Sequence, residues 1–106
     1  MRSILASLIL LFSFNSIAED PLMSFEWTLE SAQQGNAIAQ NNLGWMYETG
    51  NTIEKNFVKA FFWYEKSANQ GSAIAQNNLG LMYEFGRGTP RDYKKAFEWY
   101  VKSANQ

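Results

Sequence analysis

Residues 35–70 read GNAIAQNNLGWMYETGNTIEKNFVKAFFWYEKSANQ, and residues 71–106 read GSAIAQNNLGLMYEFGRGTPRDYKKAFEWYVKSANQ. The two segments align without a gap, and 23 of their 36 positions are identical. Self-similarity at such a period marks an array of stacked supersecondary units, each unable to bury its apolar surface alone. The register extends backwards: Phe25, Trp27, Ser31, Ala32, Gln34 and Gly35 match Phe61, Trp63, Ser67, Ala68, Gln70 and Gly71. Two full units are therefore preceded by half of a third.

Each unit reads as two helices. Asn36 and Ser72 are N-cap residue types, able to accept from free amides at a helix start. Ala39, Leu43, Met46 and Tyr47 follow at helical spacing and recur as Ala75, Leu79, Met82 and Tyr83. Gly50 and Gly86 are placed to end these helices, because glycine tolerates the left-handed conformation. Asn56 and Asp92 cap the second helices. There, Phe57, Ala60, Phe61, Tyr64 and Ala68 form one apolar stripe, copied as Tyr93, Ala96, Phe97, Tyr100 and Ala104. Asp20-Pro21 is a plausible start for the leading half-unit helix. Five helices result. Gly44 and Gly80 fall inside helices, where glycine costs about 1 kcal/mol relative to alanine, so close approach by a neighbouring helix is expected there. The alanine positions are read in the same way, and Trp27, Trp63 and Trp99 recur at one site that reads as core.

The pattern A-x-A-Q-x-x-L-G-x-M-Y-x-x-G followed by K-A-F-x-W-Y-x-K-S-A resembles the Sel1-like repeat, a relative of the tetratricopeptide repeat. The resemblance implies an all-α fold, a right-handed α/α superhelical solenoid of about two and a half helix hairpins. It also implies a scaffold or adaptor in protein complexes, with surface recognition in exported bacterial members. Thr52 departs from the pattern where the second unit has Gly88, implying a less tightly turned loop. Some cysteine-rich members are described as penicillin-binding or β-lactamase-like, but this chain has no cysteine.

Ahead of the array, Met1 and Arg2 precede an apolar run from Ile4 to Phe14, and Ser16 and Ala18 place small side chains at the −3 and −1 positions of a cut before Glu19. That is the layout of a secretory signal peptide; an uncleaved anchor is the alternative. The run is short for a transmembrane helix, which needs about 20 apolar residues, and the missing cysteine argues against a lipoprotein. The expected organisation is a signal peptide over 1–18, a half unit over 19–35, and units over 36–70 and 71–106. The expected location is periplasmic or secreted. A mature chain from Glu19 has no disulfide to compensate for its small size, so packing must hold it. With the chain carrying 9 basic and 10 acidic residues, overall charge points neither to nucleic acid nor to strong membrane attraction.

Histidine and cysteine are both absent. This removes Ser-His-Asp and Cys-His nucleophiles and the common zinc sites. No Ser-x-x-Lys, KTG or phosphate-cradling GxxxxGK[ST] motif occurs. No catalytic residue, metal or cofactor is therefore expected. A carboxylate pair remains, since Glu48 and Glu84 are equivalent and stacking can bring them together, but solvated helix positions are the plainer reading. The alternatives kept beside a scaffold are a β-lactamase-like enzyme and a truncated remnant of a longer array.

By resemblance to tetratricopeptide geometry, the groove lined by first helices presents Asn41, Trp45, Glu48 and Thr49, with Asn77, Leu81, Glu84 and Phe85 as their copies. The amides can pair with a peptide backbone, while Trp45, Leu81 and Phe85 offer apolar anchors for a protein or peptide partner. The same aromatics can instead pack against adjacent hairpins. Val58 and Phe62 form an apolar spot where the next unit has Lys94 and Glu98. Packing by the N-terminal segment and a second contact site are both open for it. The final helix has no polar capping helix after it, so self-association or partner binding is expected at that end.

Overall fold

The computed structural model describes residues 21–106. Among these, five helices follow one another: α1 (Pro21–Gln33), α2 (Ala37–Thr49), α3 (Phe57–Asn69), α4 (Ala73–Phe85) and α5 (Tyr93–Ala104). There are no strands among the described residues. The signal-peptide reading falls on residues outside them.

Each start is set by the side chain expected to set it. Asn36 Oδ1 accepts from the Ala39 amide at 2.9 Å and Ser72 Oγ from that of Ala75 at 3.2 Å. Asn56 and Asp92 accept from Lys59 and Lys95, both at 3.0 Å. The first helices end at Gly50 (φ 70°) and Gly86 (φ 65°), whose amides donate to Met46 and Met82.

Consecutive helices pack in sequence, α1 on α2 through α4 on α5, which makes the solenoid. Within a hairpin the fit depends on a missing side chain. A Cβ on Gly44 would lie 2.6 Å from the Tyr64 ring, and one on Gly80 would lie 2.6 Å from that of Tyr100. The glycines let a tyrosine of the second helix lie flat on the first. Between units, an edge-to-face pair repeats: Phe25 with Tyr47 at 6.0 Å and Phe61 with Tyr83 at 5.3 Å. Leu79 and Met82 are fully buried in one cluster with the small Ala60, Ala68 and Ala75, and Leu43 in another with Ala32 and Ala39.

Polar bonds carry the same register. Gln40 and Gln76 are buried, and their Nε2 atoms donate to the carbonyls of Ala32 and Ala68, ending the preceding second helices. Ser67 and Ser103 hydroxyls donate to the Ala37 and Ala73 carbonyls, each at 2.7 Å. Gln70 and Gln106 reach the oxygens of Gln40 and Gln76. The repeated Ser-Ala-Asn-Gln thus ties each second helix to the start of its own first helix. A buried amide without such partners would be costly.

The two loops differ in the direction expected, and two other expectations change. Thr52 does not adopt the left-handed conformation of Gly88 (φ 73°), since no non-glycine described residue has positive φ. A Cβ at Gly88 would collide with the Phe57 carbonyl oxygen, so the second loop seats its backbone against the start of α3. Trp63 and Trp99 pack against the core, but Trp27 is exposed. The α5 copy of the apolar stripe is also partly open: Tyr93, Phe97 and Ala104 are exposed because nothing among the described residues packs on that side.

Candidate functional site: the exposed face of the first helices

Because a helix repeats every 3.6 residues, positions i, i+4, i+7 and i+11 share one face. On α2 that face is Ile38, Asn42, Trp45 and Thr49; on α4 it is Ile74, Asn78, Leu81 and Phe85. The large apolar members stand in solvent: Ile38 is 73% exposed, Trp45 50%, Ile74 68% and Phe85 51%. Asn78 of the α4 row is tied to α2 beside the other row, its Nδ2 donating to Asn41 Oδ1 at 3.0 Å. Asn77 is exposed beside this bond. At the N-terminal side of α2, Trp27 and Ser31 of α1 join Ile38 and Asn42 around a cleft of about 300 Å³. The surface is mainly amide and hydrocarbon, suited to a neutral, partly apolar segment.

Glu48 and Glu84 have a different occupation. Tyr64 Oη donates to Glu48 Oε1 and Tyr100 Oη to Glu84 Oε1, both at 2.7 Å. Burial, then the hydrogen bond to the carboxylate, then its negative charge push both phenols well above the ordinary tyrosine range. Both therefore remain donors throughout physiological pH. Glu48 also accepts from Arg87 Nη1 at 3.3 Å, across the boundary between units. The Arg87 guanidinium lies over the rings of Phe57 and Phe85, at 5.6 and 5.4 Å. Each carboxylate is thus bound to a tyrosine of its own hairpin. Thr49 is also engaged locally, its hydroxyl donating to the Trp45 carbonyl at 3.0 Å.

The Sel1 repeat family matches residues 5–36, 37–72 and 73–106. The chain belongs to the Sel1 repeat family. Sel1 repeats are generally non-catalytic scaffolds for protein–protein interaction. The first match reaches into residues outside the described ones and counts as a third unit what the internal identities divide into a leader and a half unit. Among solved structures, the chain is similar to a Sel1 repeat protein from Oxalobacter formigenes, with 34% identity and a TM-score of 0.78 over 79% of this chain and 64% of that one. It is also similar to c5321, a protective antigen present in uropathogenic Escherichia coli strains displaying an SLR fold. There the identity is 39% and the TM-score 0.76, over 79% of this chain and 18% of that one. Likeness to the Helicobacter pylori cysteine rich protein B (22% identity, TM-score 0.73, 76% of this chain and 61% of that one) concerns the fold alone. The chain spans less than two thirds of each of these proteins. Comparison with curated proteins finds no match.

The Sel1 units place Asn41, Trp45, Thr49, Asn77, Leu81 and Phe85 on or beside one surface, with Glu48 and Glu84 held at its edge by tyrosines. Sequence reasoning missed Ile38, Ile74, Asn42 and Arg87. Ile38 and Ile74 sit one residue before the core alanines, and an isoleucine there reads as core until the helix is turned against its neighbour. A usable signal was present: both units keep isoleucine off the Ala39–Leu43–Met46 stripe.

Proposed function

We propose that this Sel1 protein is exported to the periplasm or beyond and serves as a non-catalytic scaffold. Its proposed ligand is a protein or peptide segment bound along the exposed face of α2 and α4. The observation that carries this reading is the alignment of Ile38, Trp45, Ile74 and Phe85 in two solvent-facing rows. Apolar side chains so arranged are hot-spot material, and the amides of Asn42 and Asn77 beside them can pair with a ligand backbone. The family's general role supports the reading, and the similarity to a protective antigen supports an envelope or secreted setting.

The test is capture of cross-linked partners from the cell envelope by the wild-type protein and by Trp45→Ala and Phe85→Ala. Loss of one defined partner in both variants, with helical circular dichroism unchanged, is expected. Unchanged capture refutes the assignment of the face.

A second contact is proposed at α5. Phe25 and Phe61 each receive a tyrosine from the next first helix, whereas Phe97, third in that series, is 68% exposed beside Tyr93 and Val101. Self-association through this apolar side covers it. Sedimentation velocity is expected to show concentration-dependent association that Phe97→Ser abolishes; a strict monomer at micromolar concentration rules it out.

A further inference from the structure

We infer that the exposed side of the second helices α3 and α5 is a peripheral docking surface for an anionic lipid bilayer. The near-neutral balance of the chain conceals a strong segregation of charge. Helices α1, α2 and α4 contain no lysine or arginine. Lys59 and Lys66 lie on α3, Lys94, Lys95 and Lys102 on α5, and Lys55 and Arg91 just ahead of them. These are seven of the chain's nine basic residues, and all seven are exposed. Among the described residues the one ion pair is Arg87 with Glu48, so none of the seven is neutralised by a carboxylate in contact. Lys59 and Lys95 are equivalent, as are Lys66 and Lys102, so the units present them on the same side. Carboxylates interrupt the lysines at Glu65 of α3 and Glu98 of α5, and Glu54 and Asp92 flank Lys55 and Arg91, so seven cations stand against four anions; on α1 the corresponding places hold Glu26 and Glu30, which ends the positive surface there.

Within this field sit two side chains that water does not favour. Val58 is 67% exposed and Phe62, one turn on, 48%. The next unit has Lys94 and Glu98 at these positions, so the repeat does not require apolar residues there. Lys66 lies over the Phe62 ring at 5.2 Å, and Phe62 meets Trp63 edge-on at 5.1 Å.

The occupant must take both the charge and the hydrocarbon. A purely hydrophilic polyanion leaves Val58 and Phe62 in water. An apolar protein groove has to strip water from the lysines. A bilayer with anionic headgroups satisfies both, because lysine stems run along the interface to reach phosphates while short apolar side chains enter the acyl boundary. No helix among the described residues is long and apolar enough to cross a membrane, so this contact is peripheral. It uses other helices than the face proposed for the protein ligand.

The test uses protein recovered from cells producing the full chain, sedimented with vesicles of phosphatidylcholine alone or mixed with phosphatidylglycerol. Binding is expected on the mixed vesicles, at least about tenfold above the neutral ones at low salt, and lost at high salt. Lys59→Gln with Lys95→Gln should weaken it roughly 25-fold, at about fivefold per lysine. Val58→Ser with Phe62→Ser should weaken it about tenfold with the salt dependence unchanged. Circular dichroism verifies that the variants fold. Equal binding to both vesicle types, no binding to either, or mixed-vesicle binding indifferent to the Val58/Phe62 pair overturns the proposal. Retention of the serine double variant on immobilised polyphosphate together with absence of vesicle binding would assign the face to a soluble polyanion instead.

Discussion

Two glycine–tyrosine contacts show how much a single Cβ decides. Gly44→Ala gains about 1 kcal/mol in helix propensity but drives a methyl into the ring of Tyr64, which is fully buried and tied through its hydroxyl to Glu48. Overpacking of that kind costs about 1–3 kcal/mol. Because the buried Tyr64 ring has no room to retreat, the upper half of that range applies, and a net loss of roughly 1–2 kcal/mol is expected in urea denaturation. Gly80→Ala meets the same ring geometry at Tyr100, but that ring is only half-buried and can yield, so its midpoint should stay near wild type. The phenols add a pH dependence of known sign. Their values in the folded protein lie above the ordinary 10.0, so their contribution is fully present below pH 10 and is lost as pH rises beyond it, when the unfolded chain deprotonates first. Thermal melts across the alkaline range should show a decline above pH 10 that is shallower in Tyr64→Phe. An equal decline in both proteins would show that the Tyr64 phenol does not govern it.

Helices here are joined by contacts that recur with the repeat. Phe61 couples α3 to Tyr83 on α4, and Phe61→Ala is expected to cost about 3 kcal/mol, the low end of the range for losing a packed phenylalanine because this one is half-buried. Guanidinium denaturation should also become less cooperative, since contacts between neighbouring units couple a linear array. A single sharp transition with an unchanged midpoint would show that other contacts hold α3 to α4. The two loops show how an element tolerates divergence. Asn56 and Asp92 amides donate to the Tyr47 and Tyr83 carbonyls at 2.8 and 2.9 Å. These bonds return the chain to the same start for the second helix, although one loop carries Thr52 and the other Gly88.

For the whole molecule, the two proposed surfaces lie on alternate helices and make separate predictions. Trp45→Ala and Phe85→Ala should abolish partner capture while shifting the melting temperature little, because both side chains are half exposed. A large fall in melting temperature would identify them as packing residues. Incubation with a chromogenic β-lactam should give no sustained turnover; sustained turnover would overturn the non-catalytic reading. Mass analysis of protein recovered from the envelope should give a chain starting at Glu19, and retention of Met1 would contradict cleavage.

The 36-residue period, the cap residues and the helical stripes were enough by themselves to establish five helices, where they start and their assembly as a solenoid. Local chemistry sets those features, and the sequence states local chemistry directly. Gly44 and Gly80 announced a close approach, but not that a tyrosine of the same hairpin makes it. Glu48 and Glu84 were equally legible as polar positions, yet their tyrosine partners lie 16 residues away, and Arg87 reaches Glu48 from 39 away. Which side of each helix remains in water was settled only by the stacking. The neighbouring helix consumes one face and leaves the other, so Ile38 and Ile74 stand beside Trp45 and Phe85, and the lysines of α3 and α5 gather around Val58 and Phe62. Charge balance is a sum over the chain, whereas recognition depends on where the folded array places each charge.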